Sequence, residues 1–373
     1  MSGNFTQRGE PALFSKWERA KIAVDCGIDL ILELPFIYAC NSAENFAKGA
    51  VRILNGLNCV DCISFGSESG DLEKLKSAAM VITSETPEFR KSIKENLDKG
   101  FSFPKARAMA VKISAGGEAA QLLESPNNIL AAEYLKQLYL TKSAIVPFTV
   151  KRTGQAHNSL SPASGYASAA AIRKILEEAG DAALIKDYVT EECLESINKL
   201  NHDINKKLNN YFMLISSKIL TERVENLEEI LSAGEGLGGK ILKVIRDSNH
   251  TESLISKIKS KRYTRTRIQR LLTHVLFDLK KEDFANLDEG EAVYARVLAF
   301  NDAGAALLKK IKKSGPGVPV ITNINKQAKE NPKILPVLRY DTAASDIYNL
   351  ITGVDIRENS DFIISPYRMN RLK

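Results

Sequence analysis

The sequence predicts an α/β layer with a mostly parallel sheet that lacks its first strand, then a helical region, then a small C-terminal α/β element. Three observations carry this. Short apolar runs at 29–35, 60–65 and 143–152 alternate with stretches of helical periodicity as far as residue 180. From about 180 to 280 the pattern is helical only, rich in Lys, Glu, Leu and Ile. From 288 onward, strand and helix patterns return. The shifts divide the chain at 1–180, 181–285 and 286–373.

The chain opens on a polar loop, Ser2-Gly3-Asn4, of the kind that follows a strand, yet no strand precedes it. Ser15 with Glu18 three residues on is a capping box, Trp17, Ala20 and Val24 follow at helical spacing, and Gly27 supplies a stop. Asp29–Pro35 has the form of a buried parallel strand. Asn41–Leu57 reads as a helix and Val60–Phe65 as a strand, ending in the polar loop 66–71. Residues 72–120 read as helical, interrupted at Pro87 and Pro104. Ser125-Pro126 opens the next helix as N-cap and first-position proline. The strand 143–152 ends in Lys151-Arg152 and leads through a polar loop to a helix from Ser168 to Ala179. In the last segment we expect a strand over 292–300, a helix over 302–313, a Gly-Pro-Gly turn, a strand over 318–322 and a helix from Ala343.

Of the 373 residues, 44% are hydrophobic, enough for ordinary globular cores, and the formal net charge of +7 is compatible with a polyanionic partner. No apolar run approaches the roughly 18 residues of a membrane helix, and no signal peptide is visible. Five scattered cysteines point to reduced thiols and a cytoplasmic location. Cys59 and Cys62 form a CxxC with no second pair nearby, which argues against structural zinc.

The leading phosphate-site candidate is the strand-loop-helix 143–176. Lys151 and Arg152 end its strand, Ser168 and small residues open its helix, and Arg173 follows about a turn and a half in. Small residues admit a phosphate to free backbone N–H groups, and the helix dipole favours the anion. Gly66, at a strand's carboxyl end, lets the chain pass close to a flat ligand such as a purine, and Asn127 can read a base edge or serve as a local cap. The GxGxxG match at 234–239 follows a helix, so its dinucleotide context fails. Residues 257–270 hold seven cations and no acid, and read as one basic amphipathic helix with Lys261, Arg262, Arg265, Arg267 and Arg270 on phosphates and Tyr263 stacked on an unpaired base. The four histidines show no ligand or catalytic pairing.

Taken together, MSGNFTQRGEPALFSKWERAKIAV, DLILELP, FGSESGD, SPNNILAAEYL, TVKR, YASAAAIRKIL, RYTRTRIQRLLTHVLF and YARVLAFNDAGAALLKKIKK, spread over residues 1–313, resemble the bacterial tRNA(Met) cytidine acetate ligases, a branch of the HIGH-motif nucleotidyltransferases. The resemblance implies a Rossmann-like ATP-binding domain and a helical tRNA-binding part. It implies ATP, with Mg2+, as co-substrate, activation of acetate as acetyl-adenylate, and transfer to N4 of the wobble cytidine of elongator tRNA(Met). It also implies that Gly66, Asn127 and Arg152 contact ATP, with Ser168 and Arg173 in the second nucleotidyltransferase motif. The chain departs from the family pattern in three places: it has no His-x-Gly-His loop, it carries Ala170 where the family usually has Thr, and Gly238-Gly239 replace bulkier polar residues. The expectation is an incomplete chain rather than a reduced form with impaired adenylation. No catalytic base can be named. The rival readings are a non-catalytic RNA-binding protein and a small-molecule adenylyltransferase.

Overall fold

A computed structural model describes residues 1–153, 167–198, 204–234, 236–290, 293–357 and 361–369. The capping box forms as expected. Ser15 Oγ accepts from the Glu18 N–H, the Glu18 carboxylate accepts from the Ser15 N–H, and helix α1 (Lys16–Asp25) follows. Strand β1 (Leu30–Glu33), a turn of helix α2 (Phe36–Ala39) and helix α3 (Ala43–Gly56, capped by Ser42) come next. Strand β2 (Cys62–Ser67) runs into α4 (Leu72–Ser84), whose first N–H groups are held by Asp71. The helices α5 (Pro87–Asp98), α6 (Phe103–Leu122) and α7 (Pro126–Leu140) each start with a proline in the first turn, where no N–H is needed. Strand β3 (Val146–Lys151) and α8 (Ala169–Ala179) follow, and Gly180 ends α8 in the left-handed conformation.

The described residues from 181 to about 290 are mostly helical. They comprise α9 (Glu191–Asn198), α10 (Ile204–Thr221), α11 (Val224–Glu229), α12 (Leu237–Val244), α13 (Thr251–Ile258), α14 (Arg265–Phe277) and α15 (Lys281–Glu289). The C-terminal part holds β4 (Ala295–Phe300), α16 (Asp302–Lys313), β5 (Val320–Ile321), α17 (Ile324–Glu330), α18 (Leu335–Thr352) and β6 (Tyr367–Arg368). Helix α18 begins eight residues before the expected Ala343, because Pro336 sits in its first turn rather than breaking it.

Among the described residues the strands form two sheets. β2 and β3 pair in parallel, with Gly66 opposite Val150 and Ser67 opposite Lys151. β1 pairs with β4, and β4 also pairs with β5 and β6. The β1–β4 pair is antiparallel, whereas β4 is parallel to both β5 and β6. The C-terminal segment expected as an appended element therefore shares its central strand with the N-terminal part. β4 is buried along nearly its whole length, as a strand covered on both faces must be.

A buried ionic cluster fastens these parts. The Lys16 ammonium lies 2.9 Å from Glu33 Oε1 and 2.7 Å from Asp361 Oδ2, and Arg296 lies 2.7 Å from the same Asp361 oxygen. All four side chains are closed to water. Charges taken out of water hold only as such a mutually compensating set. The largest apolar core runs from Phe5 and Phe36 through α10, α12, α13 and α14 to α18, and a second packs β2 against α3, α4, α6 and α7. His274 bridges the N-terminal and helical parts, its ring nitrogens 2.9 Å from the Leu231 carbonyl and 2.7 Å from the Cys40 carbonyl.

Candidate functional site: the strand ends and a cationic cleft

Parallel pairing of β2 and β3 brings their carboxyl ends side by side, and the Arg152 N–H donates to the Ser67 carbonyl at 2.9 Å. Gly66 has a local reason to be glycine: a Cβ there would sit 3.3 Å from Arg152 Cγ, so the bare backbone lets the arginine stem lie across β2. One turn further, Gly70 has φ +66° and faces the Lys151 side chain. Gly66 and Arg152 are thus neighbours, as a shared site requires.

Asn127 belongs to the same corner but is not idle. The Glu68 carboxylate sits at the N-terminus of α7, where Oε1 accepts from Asn127 Nδ2 at 2.7 Å and Oε2 from the Asn128 N–H at 2.8 Å. Asn128 returns the contact, its Oδ1 accepting from the N–H groups of Glu68 and Ser69. Ser125 occupies the N-cap position as expected but makes no side-chain cap hydrogen bond. The carboxylate takes over that task because a full negative charge is favoured at a helix N-terminus. The helix thereby presents to the cleft an N-terminus already neutralised by Glu68.

Ser168 caps α8, its Oγ accepting from the Ala171 N–H at 3.0 Å. Ala171 is fully buried, so the small residues at this helix start also serve packing. Ala170 and Arg173 line a cleft of about 1330 Å3, with Asn127 on another of its walls. Gly66 and Arg152 are not among the residues lining it. The polar loop between β3 and α8, with His157, lies outside the described residues, as does His202.

Three features of this cleft were missed in the sequence. Arg8 stands by Arg173, and burial foremost, then the neighbouring cation, pulls its guanidinium pKa down. Glu177, one turn along α8 from Arg173, is pushed up, mainly by burial and then by Glu10. Arg107 on α6 and Glu133 on α7 form a second charged pair in the cleft, at 2.5 Å. Glu133 could have been found as a charge amid the apolar run of α7.

The basic stretch departs from the expected single helix. α13 ends at Ile258, Thr264 caps α14 with its side chain accepting from the Arg267 N–H, and Lys261, Arg262 and Tyr263 lie in the turn between. Tyr263 is buried, only 8% exposed, with Arg262 and Arg267 over its ring, so it is a core residue of the turn and no open stacking surface. The backbone is extended at Thr264, whose side chain takes up a free N–H of α14 as an N-cap does, so the helix starts anew there. Arg265 pairs with Glu252 on the surface. Arg267 donates from Nε to the Ser232 carbonyl at 3.0 Å, and Arg270 lies 3.4 Å from the Gln7 carbonyl. Arg262, Arg265, Arg267 and Arg270 all line the cleft, opposite α6, α7 and α8. Lys261 is not among the lining residues; its ammonium lies 4.2 Å from the Phe101 ring.

The model of the HIGH Nucleotidyl Transferase family matches residues 1–361. The tRNA(Met) cytidine acetate ligase of Caldanaerobacter subterraneus subsp. tengcongensis is 42% identical over 353 residues, covering 94% of this chain and 86% of that protein. The enzyme of the same name from Thermoanaerobacter sp. strain X514 is 43% identical, covering 95% of this chain and 89% of the relative. The chain belongs to the tRNA(Met) cytidine acetate ligase family. Its fold agrees. The apo crystal structure of Thermotoga maritima TmcAL superposes with a TM-score of 0.90 at 30% identity, covering all of this chain and 92% of that one. The α-thio ATP-bound form gives 0.88 at 29% identity, covering 100% and 91%. The chain is therefore a Rossmann-like nucleotidyltransferase-fold protein of a ligase family. Among the described residues no helix is long and apolar enough to cross a membrane, and no group of three or more His, Cys, Asp or Glu side chains is placed to hold a metal ion.

Proposed function

We propose that this chain acetylates elongator tRNA(Met), activating acetate with ATP and transferring the acetyl group to N4 of the wobble cytidine. An acetate oxygen attacks the α-phosphorus of ATP, the bond to the β-phosphate oxygen breaks, and pyrophosphate leaves. The cytidine N4 then attacks the acetyl carbonyl carbon, AMP leaves, and N4 gives up one proton. The observation that carries the reading is the cleft, which gathers the start of α8, Arg8, Arg173 and the arginines of α14 across from α7. These cations suit both a triphosphate and an RNA backbone.

On this reading Gly66 and Arg152 border the nucleotide at the strand ends, and Asn127 joins them through Glu68. Ser168 and Arg173 hold phosphate oxygens as charge builds up in the adenylation step. Magnesium would arrive with the triphosphate, whose oxygens suit its octahedral demand. Lys261, Arg262 and Arg265 meet RNA phosphates. Arg267 and Arg270 hold the 232 and 7–9 loops that shape the cleft, and Tyr263 props the turn. Residues 1–180 would supply the nucleotide site, 181–285 the main tRNA surface and 286–373 the closing strands. The protein would work in the cytoplasm, with its tRNA substrate.

The test is acetate-dependent exchange of labelled pyrophosphate into ATP without tRNA. Exchange that requires acetate supports the reading. Exchange independent of acetate would favour a small-molecule adenylyltransferase. Binding of tRNA with no exchange would favour a non-catalytic RNA-binding protein.

A further inference from the structure

The buried Tyr263 leaves the cleft without the aromatic platform that the sequence suggested, but another aromatic stands in that role. Phe103, the first residue of α6, is 44% exposed and lines the cleft. Phe101, two residues before it, has the Lys105 and Lys261 ammoniums 4.9 and 4.2 Å from its ring. The exposed ring of Phe103 therefore lines the cleft, and two residues before it the half-buried Phe101 has two cations beside its ring. Aromatic rings flanked by cations are how proteins hold unpaired nucleotides: the ring stacks on the base and the cations meet the phosphates.

One helical turn along α6 from Phe103, on the same face, stands Arg107. Its guanidinium donates to Glu133 Oε1 at 2.5 Å. Glu133 is fully buried and also lines the cleft. Its second oxygen, Oε2, is buried and has no hydrogen-bond partner. An unsatisfied buried carboxylate oxygen is costly. A donor on a bound ligand would satisfy it. Burial raises the Glu133 pKa, in keeping with this shortage of partners. A carboxylate accepts from the exocyclic amine of cytosine, whereas uracil offers a carbonyl at that position.

We propose that Phe103, Arg107 and Glu133 form a nucleobase subsite that receives an unpaired cytosine of the RNA substrate. Phe103 stacks on the ring, Glu133 Oε2 accepts from the N4 amine, and Arg107 is a positioning residue that holds the carboxylate in place. Lys105 and Lys261 meet the flanking phosphates. This rests on the reading of the chain as a tRNA-acetylating enzyme.

The experiment measures binding of the full chain to an RNA hairpin carrying either cytidine or uridine at the acceptor position of its loop, with ATP affinity measured in parallel. Phe103→Ala is expected to weaken hairpin binding roughly 5- to 150-fold, the range for losing one stacked base, and Phe103→Trp to restore it. Glu133→Gln, whose amide can accept or donate, is expected to erase the preference for cytidine over uridine while thermal unfolding stays cooperative. Wild-type binding of the hairpin that Phe103→Ala leaves unchanged would overturn the subsite alone. A loss of ATP affinity in place of RNA affinity would overturn it too, by assigning the amino-bearing base to adenine. No binding of the hairpin by the wild type would overturn the tRNA reading and the subsite with it.

Discussion

Replacing Lys16 with Met leaves Glu33 and Asp361 facing each other without their shared ammonium. Both carboxylates are closed to water, and in the native chain Lys16 Nζ lies within 3.0 Å of two Glu33 oxygens and 2.7 Å of Asp361. Arg296 remains, 2.7 Å from Asp361 and 3.5 Å from Glu33. Breaking a buried pair by removing one partner costs about 3–5 kcal/mol, and the retained arginine argues for the lower end. Unfolding entropy of about 2.1 cal/mol/K per residue comes to about 0.8 kcal/mol/K for 373 residues. A loss of about 3 kcal/mol then lowers Tm by about 4 °C. The assay is thermal unfolding followed by circular dichroism at pH 7. Glu33→Gln and Asp361→Asn added to Lys16→Met should recover most of the loss, since replacing the set of charges together is often neutral. A single variant that melts within 1 °C of wild type would refute the idea that this cluster fastens the N-terminal sheet to the C-terminal strands.

Further outcomes follow from the same geometry. Gly66→Val should push the Arg152 side chain off β2 and weaken ATP binding several-fold with little change in Tm, read by equilibrium titration with ATP. Burial foremost, with Glu33 beside it, pushes the Asp341 carboxyl up to about 7. The folded pKa is then above the unfolded one, so its stabilising contribution is complete below about pH 4 and lost as pH rises through about 7. Urea unfolding at pH 5 and pH 8 should show that loss, and Asp341→Asn should flatten it. Lys261→Ala with Arg262→Ala should lower the slope of log tRNA affinity against log salt by about one for each phosphate left without its cation. Arg265→Ala should do less, since Glu252 already pairs with that side chain.

The sequence made the local grammar legible. Ser15 and Ser168 cap their helices because a side-chain oxygen at the N-cap satisfies an otherwise free N–H, and that signal is contained within four residues, whereas the Thr264 cap divides a run whose composition reads as one helix. The neighbourhood of Gly66 and Arg152 was legible for a similar reason: consecutive parallel strands of an α/β layer end on the same side. What stayed hidden depends on distant partners. Glu68 caps a helix that starts 58 residues later, and β4 pairs with a strand more than 260 residues earlier, in an orientation that no local pattern encodes. Tyr263 looked like an exposed aromatic among cations, yet its ring fills the space against Gly234 under Arg267. The cation run was visible in the sequence. Which cations are already engaged by Ser232, Gln7 or Glu252 was not.

The most direct measurement incubates this chain with labelled acetate, ATP and unmodified elongator tRNA(Met), then maps the label within the RNA. The account predicts label at the wobble cytidine, dependent on both ATP and acetate, with AMP and pyrophosphate released. ATP consumption with no label in the RNA, or RNA bound tightly with neither ATP consumed nor label transferred, would contradict it.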